Sequence, residues 1–461
     1  MSGGLRVVLL CALAAPARAL VGGLWTSRVA TAARWQDALA ELAPQPLVLG
    51  ADDGAGGGRD TVALLFVSSR LWEDGGAGGR GRGRSSFAEI VRAACDALGT
   101  DALVSVVSDG VIGGRREIEG EPALALLTGP LPPGSAVHAI ALATGATARA
   151  PLLAASARAA ASAASTPLHS FLTFVDPFYE CAALLRELGE LFDGAPVCGG
   201  LSAPPGEEPS IALGPRVLPV GSAIVLGFAG AVAMHAVVAQ GCRPVGPSFA
   251  VTACDESLVV ALDGMPALEQ LQLVVDGASD DERKLMEHAL LCGLGARDDD
   301  AAADGRDSLV RIILGVTQQG AILIGVGDGE LHVGTRLQFQ IRSRASAQQD
   351  LDTQLQRYRL ERQFSPAAAA LARAPCGGVL FSCNGRGQRL FGVSNHDSEC
   401  IQAALADLGA GAGADGAVPL GGFFANGEIG PVGISLGGGG SRTHMHGFTS
   451  VLALLFPTAD T

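Results

Sequence analysis

Gly378-Val379-Leu380-Phe381-Ser382-Cys383-Asn384-Gly385-Arg386-Gly387 is the stretch whose reading decides the fold. Gly378–Ser382 is short, apolar and uninterrupted, as a strand buried on both faces must be. Cys383 to Gly387 is a polar, glycine-rich break. Asp397–Leu408 then reads as a helix, with Ser398 an early-turn residue, and Val418–Leu420 as a second strand followed by Gly421-Gly422. Strand, helix and strand with so short a first strand predict parallel pairing through a right-handed crossover.

The same layout occurs twice upstream. Val62–Val67 reads as a strand and Phe87–Leu98 as a helix with Phe87, Ile90, Val91, Ala94 and Leu98 on one face. Ala102–Val107 follows as a strand, then Ser108-Asp109-Gly110-Val111-Ile112-Gly113-Gly114. Phe171–Val175, Asp176-Pro177, the helix Tyr179–Phe192, Ala195–Cys198 and Gly199-Gly200 form the second occurrence. After each glycine pair comes another apolar run: Ala123–Leu127, Ile211–Leu218 and Phe448–Phe456. These runs predict an α/β protein with mixed-sheet, α+β character, built from repeated strand–helix–strand units. Open α/β sheets place ligands at the C-terminal ends of their strands, so the glycine pairs are expected to mark such places.

A length of 461 residues predicts two or three structural units. Hydrophobic residues at 48% and charged ones at 17% describe a globular chain rather than a disordered one. The net charge of −14 argues against a nucleic-acid surface. Arg80, Arg82 and Arg84 lie in a Gly-rich stretch that reads as a solvated insertion. Ala141–Ala164 and Asp298–Asp307 read as low-complexity loops. Residues 1–19 look like a cleavable signal or targeting segment: Arg6, the apolar run Val7 to Ala15, then Ala17-Arg18-Ala19. This points to the secretory route or an organelle, with the cytoplasm as the alternative. Gly221 to Gln240 is long enough to span a membrane, but Gly227 and Gly230 break it. Two strands, Ala223–Phe228 and Val232–Ala239, joined as a hairpin explain it better, so no integral membrane span is expected.

The ten cysteines show no CxxC pair and no Cys/His ligand spacing, so neither a zinc site nor a disulfide framework is expected; several are read as core residues. No P-loop, dinucleotide-binding, HExxH or GxSxG pattern stands out. Neither a cofactor nor a catalytic residue is assigned. The densest polar cluster lies in two loops, at Cys383 to Gly387 and at Phe423-Phe424-Ala425-Asn426-Gly427-Glu428. Parallel strands would bring both to one sheet edge. Cys383, Asn384, Arg386, Asn426 and Glu428 would then meet there. Arg386 suits a carboxylate and Glu428 an ammonium, as in an amino acid. The same residues read equally well as turns in which Arg386 and Glu428 pair with each other. Arg243, in Gln240-Gly241-Cys242-Arg243-Pro244-Val245-Gly246, is a candidate second cation; the plainer reading is a rigid turn between domains. Cys383 as a nucleophile lacks an evident base, with His396, His444 and His446 candidates by nearness alone. His444 and His446 would share a strand face without acidic or thiol partners.

These residues resemble the FIST family, in its paired FIST N and FIST C domains. The N-terminal resemblance lies in Gly113-Gly114, Glu117-Ile118-Glu119-Gly120-Glu121-Pro122-Ala123, Asp176-Pro177-Phe178 and Ala195-Pro196-Val197-Cys198-Gly199-Gly200. The C-terminal one lies in Gln240 to Gly246, Leu262-Asp263-Gly264-Met265-Pro266-Ala267-Leu268, the Cys383 and Asn426 loops, and His446-Gly447-Phe448. It implies two linked subdomains, divided here as 25–230 and 231–457; some members of the family carry an F-box, and the two dozen or so residues before the first strand are too few for one. It also implies a sensory, signal-transduction protein binding a small ligand, an amino acid or related small carboxylate. The competing readings are a scaffold binding a protein partner through the same face and a thiol-dependent enzyme using Cys383.

Overall fold

The computed structural model describes residues 25–42, 60–73, 87–162, 165–288, 290–295, 308–327, 329–364, 374–406, 417–437 and 442–458. The leader at 1–19, the arginines at 80, 82 and 84, and the acidic stretch at 298–307 lie outside them.

All three strand–helix–strand units form. Thr61–Ser68 pairs in parallel with Val104–Ser108, Ser170–Val175 with Val197–Leu201, and Gly377–Cys383 with Leu420–Ala425. The intervening helices are Phe87–Leu98, Cys181–Leu191 and His396–Ala406. Each parallel pair is the centre of its own sheet, and the strands around it are antiparallel, so the fold is mixed α/β. Alternating side chains divide each central strand between two cores. Leu64 and Phe66 face inward, while Ala63, Leu65 and Val67 pack under the Phe87–Leu98 helix. The inner faces of the three sheets meet at one phenylalanine cluster. Phe381 lies 6.0 Å from Phe174 and 5.5 Å from Phe423, and Phe66 lies 5.6 Å from Phe423. Each unit therefore contributes a ring to a shared centre.

A fourth sheet stands beside this core. It runs from Cys242–Asp255 through Arg336–Arg342 and Leu290–Gly295 to Leu258–Leu262, with its own apolar cluster under the helix Ala267–Gly277. The segments before and after residue 230 also exchange strands. Gly110–Gly113 joins the sheet of the third unit beside Leu420–Ala425, and Glu428–Pro431 joins that of the second beside Val197–Leu201.

Three expectations are corrected. Two of the glycine pairs do not follow strands but lie within them, at 199–200 and 421–422. A Cβ on Gly422 would stand 1.9 Å from the Leu380 carbonyl oxygen, and one on Gly200 3.0 Å from Ala425. These glycines allow close packing of neighbouring backbone and side chains, not ligand access. Ala223–Gly230 and Val232–Ala239 are strands, but not a hairpin. The first pairs with Ser135–Leu142 and Ser170–Val175, the second with Ser450–Pro457. Gly230, at φ +84°, turns the chain from one sheet into another. The Ala/Ser-rich stretch is no loop: Arg149–Ala160 is a helix that buries Leu152, Ala155 and Ala159 against the second sheet. Alanine favours helix strongly enough to form one with little amphipathic pattern.

Candidate functional site

Parallel register sets Cys383 opposite Ala425, so the loops that follow leave the same sheet edge. Asn384 N–H donates to the Ala425 carbonyl at 3.0 Å, and Arg386 N–H to that of Cys383 at 2.8 Å. The chain then turns at Gly387 (φ +61°) into a short helix, Gly387–Phe391, and passes Asn395 (φ +66°) into His396–Ala406.

Arg386 is completely buried and does not pair with Glu428. Its Nε and Nη2 donate to Asp397 at 2.6 and 3.0 Å, a bidentate pair. Ser382 Oγ and His396 Nδ1 approach the same carboxylate at 3.2 Å each. Burial opposes the charge on Asp397, but Arg386 and His396 outweigh it and hold the carboxyl well below the usual range. The Phe391 ring lies 5.3 Å from the Arg386 guanidinium carbon and stacks on His396. Arg386 Nη1 has no partner.

Glu428 is equally buried. Its Oε2 accepts from the Thr449 hydroxyl at 2.6 Å and the Thr449 N–H at 3.1 Å, while Oε1 has no partner. Burial pushes its carboxyl up to about 7. Cys383 is half-buried, and burial, with Glu428 beside it, pushes its thiol up to about 12. Asn384 Oδ1 has no partner, whereas Asn426 is exposed and its N–H donates to Leu201. Arg243 stands in an ion pair with Glu282 at 2.9 Å, beside an open groove of about 330 Å³ lined by Val245, Phe249, Leu273 and Val274. The segment containing Arg243 is not a free turn; it begins the strand Cys242–Asp255, which bulges between Pro244 and Ser248. His446 is buried with Nε2 against the carbonyls of Gly430 and Pro431, its ring 6.4 Å from that of His444. Among the described residues no three His, Cys, Asp or Glu are grouped to hold a metal ion. No described helix is long and apolar enough to cross a membrane.

Several residues at this site escaped the sequence reading. Arg342 ends the strand Arg336–Arg342 opposite Cys242 and donates from Nη2 to the Gly385 carbonyl at 3.1 Å. Two acids of the strand Arg116–Glu119 reach the same loop. Glu117 accepts the Ser398 N–H at 2.7 Å and Glu119 that of Gln388 at 2.8 Å, so each carboxylate sits at the first turn of a helix. Asn395 Oδ1 in turn accepts the Glu117 N–H. One strand thus holds the first turns of both helices that follow Arg386. The only local signal was an alternating Glu-Ile-Glu, which does not name a partner about 270 residues away.

Residues 82–265 match the FIST N domain and residues 267–431 the FIST C domain. The chain belongs to the FIST family. FIST domains are associated with sensory roles in signal transduction. An uncharacterised protein of Mycobacterium tuberculosis is 34% identical over 356 residues, 77% of this chain and 83% of the relative. An uncharacterised protein of Mycobacterium bovis is 40% identical over 219 residues, 47% of this chain and 49% of its own length.

Proposed function

We propose that this protein is a sensor of a small ligand, an amino acid or a related small carboxylate, held where the Cys383 and Asn426 loops leave the sheet. One observation carries the reading. Arg386 Nη1, Glu428 Oε1, Asn384 Oδ1 and Arg342 Nε are all buried and all without hydrogen-bond partners. Buried polar atoms are nearly always satisfied, and each orphan costs about 1–3 kcal/mol. Here donors and acceptors that lack partners occur at the same strand ends, and a molecule bearing both an anion and a hydrogen-bond donor complements them. Cys383, Asn384, Arg386, Asn426 and Glu428 form the site in this reading. Arg243 serves indirectly, by fixing through Glu282 the segment whose Gly241 abuts Arg386. A thiol held at about 12 is a poor nucleophile near neutral pH, which weighs against an enzyme using Cys383.

A thermal-shift screen against amino acids and small carboxylates tests this. A ligand at 100 times its Kd adds about 2.7 kcal/mol of stability. A hit that disappears in Glu428→Gln supports the site, and a blank across the panel sinks the reading.

A further inference from the structure

Arg386 was the obvious cation for a carboxylate, yet its charge is already answered. Two of its nitrogens fork onto Asp397 inside the protein. Arg342 differs in its burial and, among the described residues, in having no ion pair. It is only partly buried and, among the described residues, makes no ion pair; its single hydrogen bond is to a neutral carbonyl, that of Gly385. Its Nε is enclosed without a partner. The guanidinium carbon lies over the Phe448 ring, 5.1 Å from its centroid, a cation–π contact. Phe448 itself sits at φ +68°, a conformation that a bulky residue adopts only when its surroundings impose it. A side chain on Gly385 would meet Arg342 Nη1 at 3.2 Å and Cys383 Sγ at 3.8 Å, so this glycine keeps the space beside the guanidinium open.

We infer that Arg342, stacked on Phe448 beside Gly385 and Cys383, is the residue that receives the anionic group of the ligand, while Arg386 is a positioning residue locked to Asp397. This rests on the small-carboxylate reading above and moves its anion contact to the end of a strand in the fourth sheet. Charge fits as well. Burial and the like charge of Arg386 both disfavour the charged Arg342, with Glu428 acting the other way, and an arriving carboxylate adds to the favourable side. The planar fork also suits a carboxylate better than a point charge would.

The test compares wild type, Arg342→Gln and Arg342→Lys against amino acids, each matched with the amine lacking its α-carboxylate. A third arm sets acetate against chloride at equal ionic strength. Arg342→Gln is expected to weaken amino-acid binding about tenfold to a hundredfold, the loss of one charged hydrogen-bond contact, and to leave the amines unchanged. Arg342→Lys is expected to fall between, keeping the charge but not the fork. Equal loss for amino acids and amines, or no loss, overturns the inference. If wild type binds no amino acid, the sensor reading fails and acetate decides alone. Stabilisation by acetate that vanishes in Arg342→Gln upholds the anion contact, and its absence or persistence rejects it. Should Arg342→Gln not fold, Phe448→Leu removes the stack instead and is expected to weaken amino acids selectively; unchanged affinity there rejects the inference.

Discussion

The second and third units share a plan but finish it differently. Each has a parallel strand pair followed by a buried acid. In the second unit Asp176, directly after the strand, is fully satisfied. Its Oδ1 accepts the N–H groups of Phe178 at 3.1 Å and Gly221 at 2.9 Å, and its Oδ2 the Ser210 hydroxyl at 2.6 Å. In the third unit Asp397 is likewise satisfied, but around it Arg386 Nη1, Glu428 Oε1 and Asn384 Oδ1 are not. A closed network holds loops together; an open one at the same place in the plan leaves groups for something else to answer. The repeat therefore supplies a scaffold, and in the third copy the polar atoms around the buried acid stay unanswered.

Breaking each network separates the two roles. Asp397→Ala should have the largest effect, about 3–5 kcal/mol in denaturant unfolding, because it strands a buried guanidinium. Asp176→Ala should cost about 2–4 kcal/mol by orphaning the groups that now donate to it, and it should leave ligand affinity untouched in the folded fraction. A smaller effect is expected from pH. Glu117 and Glu428 are both raised by burial, Glu117 also by Asp397 nearby, so both bind protons more tightly folded than unfolded. Folding takes up protons between the ordinary value of 4.5 and about 7 for Glu428 and about 8 for Glu117. Stability from these acids is thus complete at low pH and is lost as pH rises through that window. Melting temperatures from pH 5 to 8 should show the fall, and Glu117→Gln and Glu428→Gln should each flatten it. The smallest stability change is expected for Glu428→Gln at neutral pH, within about 1 kcal/mol, since one oxygen is already free and the amide oxygen can still accept from Thr449. Its effect on ligand binding should nevertheless be complete, and a variant that is both destabilised and fully binding would reverse the assigned roles.

The units were legible because period and length report burial directly. Phe87–Leu98 came out with the bounds the helical pattern gives, and the three parallel pairs follow from strand–helix–strand order. The Ala/Ser-rich helix was missed because its composition resembles a linker and its polarity pattern is weak. The two strands at 223–230 and 232–239 were wrongly joined as a hairpin because an apolar run says that a strand is buried, not which sheet buries it. At the site, the Cys383 and Asn426 loops were visible as polar breaks after apolar runs. Asp397 was visible only as an acid opening a helix, and Arg342 as one arginine among many, 43 residues from the carbonyl it holds.

The sequence by itself determined the three-fold strand–helix–strand plan, the family and the two loops that leave one edge, because these depend on local periodicity and chain order. Only the tertiary structure decided which polar atoms are answered. That Arg386 belongs to Asp397, that Glu117 and Glu119 grip the loop from a distant part of the chain, and that Arg342 lies over Phe448 without an ion pair among the described residues are matters of long-range packing. Hydrogen bonding is satisfied between neighbours in space, and no local pattern records them.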